Sequence, residues 1–152
     1  MALPNIFSKE VADQIIERIN QLSPSSQPKW GKMDVAQMLA HCNVTYEMMY
    51  EDKHPKTGAF MKFILKLMVK SKVVGEEGYP PNSRTAPQFI IADARIFEDE
   101  KQRLIAFINK TQALGGAHFD QMESHSFGKL STVEWNNMMY KHLNHHLGQF
   151  GV

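Results

Sequence analysis

A single cysteine, Cys42, stands among 152 residues, so the chain can close no internal disulfide and build no Cys-rich zinc site. The net charge of +1 gives no bulk pull towards nucleic acid or an anionic membrane. No apolar run approaches the roughly 18 residues that a membrane span needs. The start, Met1-Ala2-Leu3-Pro4, has neither the basic segment nor the apolar stretch of a signal peptide. A cytoplasmic protein that binds neither membrane nor nucleic acid is therefore expected. Also missing are a Gly-rich phosphate loop, a Gly-x-Ser-x-Gly nucleophile elbow and the His-Glu-x-x-His of metalloproteases, each of which would have named a chemistry. No strand pattern runs longer than a few residues, and no internal repeat is present.

The composition, 43% apolar and 22% charged, suits one globular domain over residues 1–152 with a full hydrophobic core. Ten methionines and nine phenylalanines stand out. Methionine is flexible and fills irregular gaps, which suits a helical core or an adaptable apolar pocket.

Apolar residues recur at helical spacing through most of the chain. Ser8 caps a first helix that runs to about Leu22, with Val11, Ile15, Ile16, Ile19 and Leu22 on one stripe. Asp34 opens a second, and its spacing to Gln37 is that of a capping box. Cys42 lies on that helix's apolar stripe, as a small core residue rather than a nucleophile. Lys53-His54-Pro55 should end the helix, because the residue before proline avoids helical geometry. Phe60, Phe63, Ile64, Leu67 and Met68 form one face of a short basic helix over 60–70, with Lys62, Lys66 and Lys70 opposite or flanking. That apolar face is expected to pack on the protein itself rather than on a membrane surface. Residues 73–89 hold two glycines and three prolines without periodicity and read as a long loop of the kind that rims pockets. A third long helix spans about Asp93 to Leu114 and stops at Gly115-Gly116. Ser131 and Glu134 box the start of a last helix that ends near Gly151. Four long helices and one short one make an all-α bundle the simplest architecture.

Chemistry concentrates in the last helix. Three of the seven histidines lie in Tyr140-Lys141-His142-Leu143-Asn144-His145-His146-Leu147-Gly148-Gln149, and His142 and His146 are spaced i, i+4. Taking Trp135 as zero, His142 falls at about −20°, His146 at about +20° and Gln149 at about −40° on the wheel. Both imidazoles therefore sit in the stripe that should face the core. Two inward imidazoles need either buried hydrogen-bond partners or a shared metal ion. A third ligand would come from another helix, and His41, on the shoulder of the second helix's stripe, is the candidate. His145 points about 80° off the stripe centre, at the pocket edge. His54, His118 and His125 fall in expected loops and suit surface or capping roles. Glu51 with His54 is the sole Glu-x-x-His, too few for a di-iron bundle.

Several of these stretches resemble the DinB/YfiT-like superfamily. Trp30-Gly31-Lys32-Met33-Asp34-Val35-Ala36-Gln37-Met38-Leu39-Ala40-His41 is similar to the entry of its second helix, where a histidine ligates metal. The 140–149 stretch resembles its closing His-x-x-His-His-x-x-Gln motif. Ser126-Phe127-Gly128-Lys129-Leu130-Ser131-Thr132-Val133-Glu134-Trp135 looks like the Phe-Gly-x-Leu-Thr-x-x-Glu-Trp run of one uncharacterised branch. Gly148 stands where many relatives carry arginine. The resemblance implies a DinB-like up-down-down-up four-helix bundle, with one extra short amphipathic helix and a long Pro/Gly-containing loop, often as a homodimer. It also implies a divalent metal on His41, His142 and His146, with zinc or nickel ahead of iron or manganese. Characterised members include transferases that use low-molecular-weight thiols.

The expected function is thus a metal-dependent S-transferase or hydrolase acting on a small hydrophobic electrophile, with a low-molecular-weight thiol as a candidate co-substrate. Gln149 and His145 would line the pocket or brace the ligands. The alternative is a non-enzymatic metal or small-molecule binding protein, and a third reading has core histidines with no metal at all.

Overall fold

The computed structural model describes residues 2–152. It is mostly helical. Helix α1 spans Lys9–Asn20, α2 Val35–Tyr50, α3 Ala59–Met68 and α4 Lys70–Val74. After a single 3-10 turn, Pro87–Phe89, come α5, Phe97–Leu114, and α6, Gly116–Phe119. Strands β1, Met122–Ser124, and β2, Gly128–Leu130, precede α7, Thr132–Gln149. No helix among the described residues is long and apolar enough to cross a membrane.

Three helix starts follow from local capping. Ser8 accepts from the Val11 amide. Asp34 Oδ1 accepts from the Gln37 amide at 2.8 Å while Gln37 Oε1 accepts from the Asp34 amide. Ser131 and Glu134 repeat the reciprocal box. Each box satisfies two amides that a helix start would otherwise leave without partners. Helix α2 is the central element. It packs on α5 and α7, and Val35, Met38, Leu39, Cys42 and Tyr46 are all buried. The core they share with Ile15, Ile19, Leu104, Ile108, Trp135 and Leu143 fixes where the faces of α2 and α7 meet.

Helix α5 begins at Phe97, four residues later than the periodicity suggests. Arg95 bonds back to Asp93 and forward to Glu100, and the Asp93 carbonyl accepts from Gln37 Nε2 at 3.3 Å. Those ties hold 93–96 out of the helix. The helix ends where expected, at Gly115, whose φ of +73° only glycine adopts without strain.

The short basic helix differs from expectation. Much of its outer face is open among the described residues: Phe60 is 76%, Leu67 68% and Met68 71% exposed. Leu65 and Val69 turn inward instead and wall a cavity. Ion pairs from Lys62 to Glu123 and from Lys70 to Glu134 fix its edges. The periodicity identified the amphipathic helix correctly, but the side facing the protein is set by those lysines and by the cavity wall.

Helix α4 ends in carbonyls served by α7. Asn137 Nδ2 donates to Val74 O at 2.9 Å, and Lys141 Nζ donates to Lys72 O and Gly75 O at 2.7 and 2.8 Å. A buried lysine on α7 thereby caps another helix and anchors the start of the long loop.

Candidate metal centre

Helices α2 and α7 run antiparallel past each other, so rows of residues on their facing sides meet in reverse order. His41 of α2 lies against His142 and His146 of α7, with ring centroids 4.9 and 4.5 Å away. One turn further along α2, Thr45 meets His142. The i, i+4 spacing on α7 and the central burial of α2 bring the three imidazoles to one point. His41 and His146 are buried and His142 is half-buried. One ring nitrogen from each can be chosen so that all three lie within 4.8 Å of one another.

Each outer nitrogen has its own partner. His41 Nδ1 lies 2.8 Å from Phe89 O, a carbonyl that can only accept. His146 Nδ1 lies 2.8 Å from Gln149 Oε1, whose amide is oriented by Nε2 donating to Trp30 O at 2.7 Å. His142 Nδ1 lies 3.2 Å from the Thr45 hydroxyl, which can accept. Protons on Nδ1 of His41 and His146 are therefore imposed by their acceptors, and each neutral ring is left with a bare Nε2. His41 Nε2 and His142 Nε2 face each other at 2.9 Å. Two lone pairs cannot remain at that distance: a proton or a cation must lie between them.

The surroundings favour neutral rings. Burial lowers the His41 pKa, with the Phe89 carbonyl opposing and His145 adding to the fall. Burial and repulsion from His146, His41 and His145 push His142 well below the ordinary value. Burial and repulsion from His41 take His146 down to about 3, the Gln149 bond opposing. Neutral imidazole is the form that binds metal.

The candidate residues named from the sequence thus come together. His145 stands beside them, half-buried, its ring 4.9 Å from His146 and 5.8 Å from both Trp30 and Tyr79. Burial lowers its pKa, while its hydrogen bond to the Tyr79 backbone opposes. Cys42 is buried against Met38, and burial pushes its thiol far up, as befits a core residue. His54 pairs with Glu47 at 2.7 Å, not with Glu51. His118 lies in α6 rather than a loop, stacked edge-on against Phe119. His125, expected at the surface, lines the cavity.

Three participants escaped the sequence reading. Thr45 was legible, since it follows His41 by four residues and must share its face. The carbonyls of Phe89 and Trp30 have no side-chain signature. Gly31 makes room for the Gln149–Trp30 contact: with φ +86°, a Cβ there would lie 2.5 Å from Gln149 Nε2.

The histidines open into a cavity of about 1040 Å³ that includes Met48, Met49, Met138, Phe127 and Trp30 in its walls. Three imidazoles with braced outer nitrogens, an approach from a cavity and no fourth His, Cys, Asp or Glu in the cluster among the described residues make a site able to hold a divalent ion with a position left open.

The family described as a protein of unknown function, DUF1569, matches residues 7–151. No curated protein and no solved structure matches the chain.

Proposed function

The chain belongs to the DUF1569 family, and we propose for it a divalent-metal-dependent activity at His41, His142 and His146. One observation carries the proposal: the outer nitrogens of His41 and His146 are tied to Phe89 O and Gln149 Oε1, and that of His142 faces the Thr45 hydroxyl. Inner nitrogens are thereby directed to one point beside a cavity. Outer partners of this kind fix the tautomer and orientation of ligating histidines. The donor set suits zinc, nickel, copper or ferrous iron, and availability decides among them. A bound ion supplies Lewis acidity, which lowers the pKa of a water or thiol to near neutrality.

The reaction class that this arrangement serves is transfer to a thiol, or hydrolysis, at an electrophilic carbon. The apolar walls hold the substrate body and keep bulk water away, while His145, half-buried at the cavity edge, borders the reacting position. The resemblance of the Trp30–His41 and Tyr140–Gln149 stretches to DinB/YfiT-like proteins supports the same assignment. On it, α1, α2, α5 and α7 form the up-down-down-up bundle.

The 2.9 Å contact between His41 and His142 also favours a second reading, a metal-free trio joined by a proton. Elemental analysis of untagged protein separates them. Near-stoichiometric divalent metal in the wild type, lost in a His142→Ala, His146→Ala double variant, is the expected result. Absence of metal after reconstitution with zinc, nickel, manganese and ferrous iron would leave the proton-linked trio.

A further inference from the structure

The cavity is too large for the small electrophile that a three-histidine site alone suggests, and its two sides differ in kind. Ligand sites for drug-sized molecules run from about 300 to 1,000 Å³, and this one reaches about 1040 Å³. The histidines do not sit at its end. On one side of them lies a polar rim, formed where Trp30–Met33 precedes α2 and where the loop before Phe89 crosses, with Lys32 and Arg84 exposed at the opening. Trp30 belongs to that side because its carbonyl is bonded to Gln149, beyond His146.

On the other side the antiparallel helices continue away from the site. Thr45 is level with His142, and the next cavity-lining positions are Met48 and Met49 on α2 and Met138 and Trp135 on α7. Leu65 of α3 closes part of the wall. The residues of α2, α3 and α7 that line this stretch are uncharged, while the β1–β2 hairpin beside α3 adds Met122 and Phe127 and also the polar side chains of Glu123 and His125 to the cavity wall. At 1.5 Å per residue, the eight residues from His41 to Met49 and the seven from His142 to Trp135 extend it about 10–12 Å past the histidines. Methionine walls adapt to a flexible apolar ligand.

We infer that the site takes an amphiphile: an extended apolar chain in the methionine-lined chamber, a polar or anionic portion at Lys32 and Arg84, and its reactive group between them at the histidines. The inference rests on the proposed site but concerns what fills it. Extended single-bonded chain advances about 1.2 Å per bond, so the chamber accommodates about eight to ten carbons.

Isothermal titration calorimetry with straight-chain carboxylates from hexanoate to hexadecanoate, and with the matching alcohols, tests the assignment on the full chain. Affinity should rise about three- to fourfold per methylene while the chain is being buried and flatten once the part of the chain beyond the histidines reaches about eight to ten carbons. Met138→Trp and Met49→Trp each fill part of the chamber, one turn of α7 before His142 and two turns of α2 beyond His41. In either variant, checked for folding by circular dichroism, the plateau should come several carbons earlier. Affinity independent of chain length, or an unchanged plateau in folded variants, overturns the inference. The metal reading fails separately. A slope with chain length in protein that binds no metal keeps the chamber and removes the ion, whereas bound metal without a slope does the reverse.

Discussion

His41, His142 and His146 owe their chemistry to atoms that are not on them. An imidazole buried without a fixed acceptor can hold its proton on either nitrogen, and the bare nitrogen is then as often turned away from a metal as towards it. Gln149 settles this for His146: its Oε1 accepts from Nδ1 while its Nε2 is held by Trp30 O, and Gly31 leaves room for it. Gln149→Leu removes the acceptor and strands the Trp30 carbonyl while keeping the side chain's bulk. Loss of such an outer partner commonly costs about 10–100-fold in metal affinity, and that range is expected here from competition against a chromophoric chelator. Thr45→Val should cost less, because the Thr45–His142 contact is longer, at 3.2 Å. Unchanged affinity in Gln149→Leu would show that His146 is not a ligand.

At the scale of elements, what could be read in advance was whatever is decided within a few residues. The boxes at Asp34 and Ser131, the cap at Ser8 and the stop at Gly115 are local chemistry, and the i, i+4 pair of His142 and His146 is local geometry. Apart from His41, partners distant in sequence were not legible. The exposed face of α3 has the same periodicity as a buried one, since a sequence shows that a face is apolar but not whether anything meets it. The late start of α5 depends on Gln37 reaching the Asp93 carbonyl across 56 positions. Lys141 is the clearest instance. It sits beside His142 in a helix whose pattern marks it as an ordinary polar residue, yet it is buried and holds the end of α4 by two carbonyls. Burial lowers its pKa, with Glu77 opposing. Lys141→Met keeps the stem and removes the donor, leaving the carbonyls of Lys72 and Gly75 without it. A loss of about 1–3 kcal/mol in unfolding free energy should be accompanied by faster amide exchange across α4 and the loop after it. If exchange there is unaltered, Asn137 alone secures the helix end.

The whole molecule holds five histidines that resist protonation, His125 and His145 beside the three of the cluster, and this sets how its stability depends on acid. Unfolded imidazoles titrate near pH 6.5, whereas those of His41, His142 and His146 are lowered in the fold, His146 to about 3, chiefly by burial. Below about pH 6.5 the unfolded chain therefore binds protons that the folded chain refuses. Their contribution is complete above that pH and is lost as the pH falls towards the folded values. Carboxylates act lower. Burial would raise Glu47, but its bonds from Arg103 and His54 outweigh that and hold it below the usual range, so its contribution disappears only as the pH falls through that lowered value. The urea midpoint of the metal-free protein should thus be level between about pH 7 and 8 and begin to fall near 6.5, before any carboxylate takes part. A divalent ion that binds only the folded chain deepens this dependence, because protons compete for the same nitrogens. At 100 times its dissociation constant such an ion adds about 2.7 kcal/mol, which for a chain of this size raises the melting temperature by about 5–10 °C. Differential scanning calorimetry with and without zinc at pH 7.5 and pH 5 reads both effects: a clear rise at the higher pH, much reduced at the lower. An equal rise at both would place the ion on groups that do not titrate between them, away from the histidines.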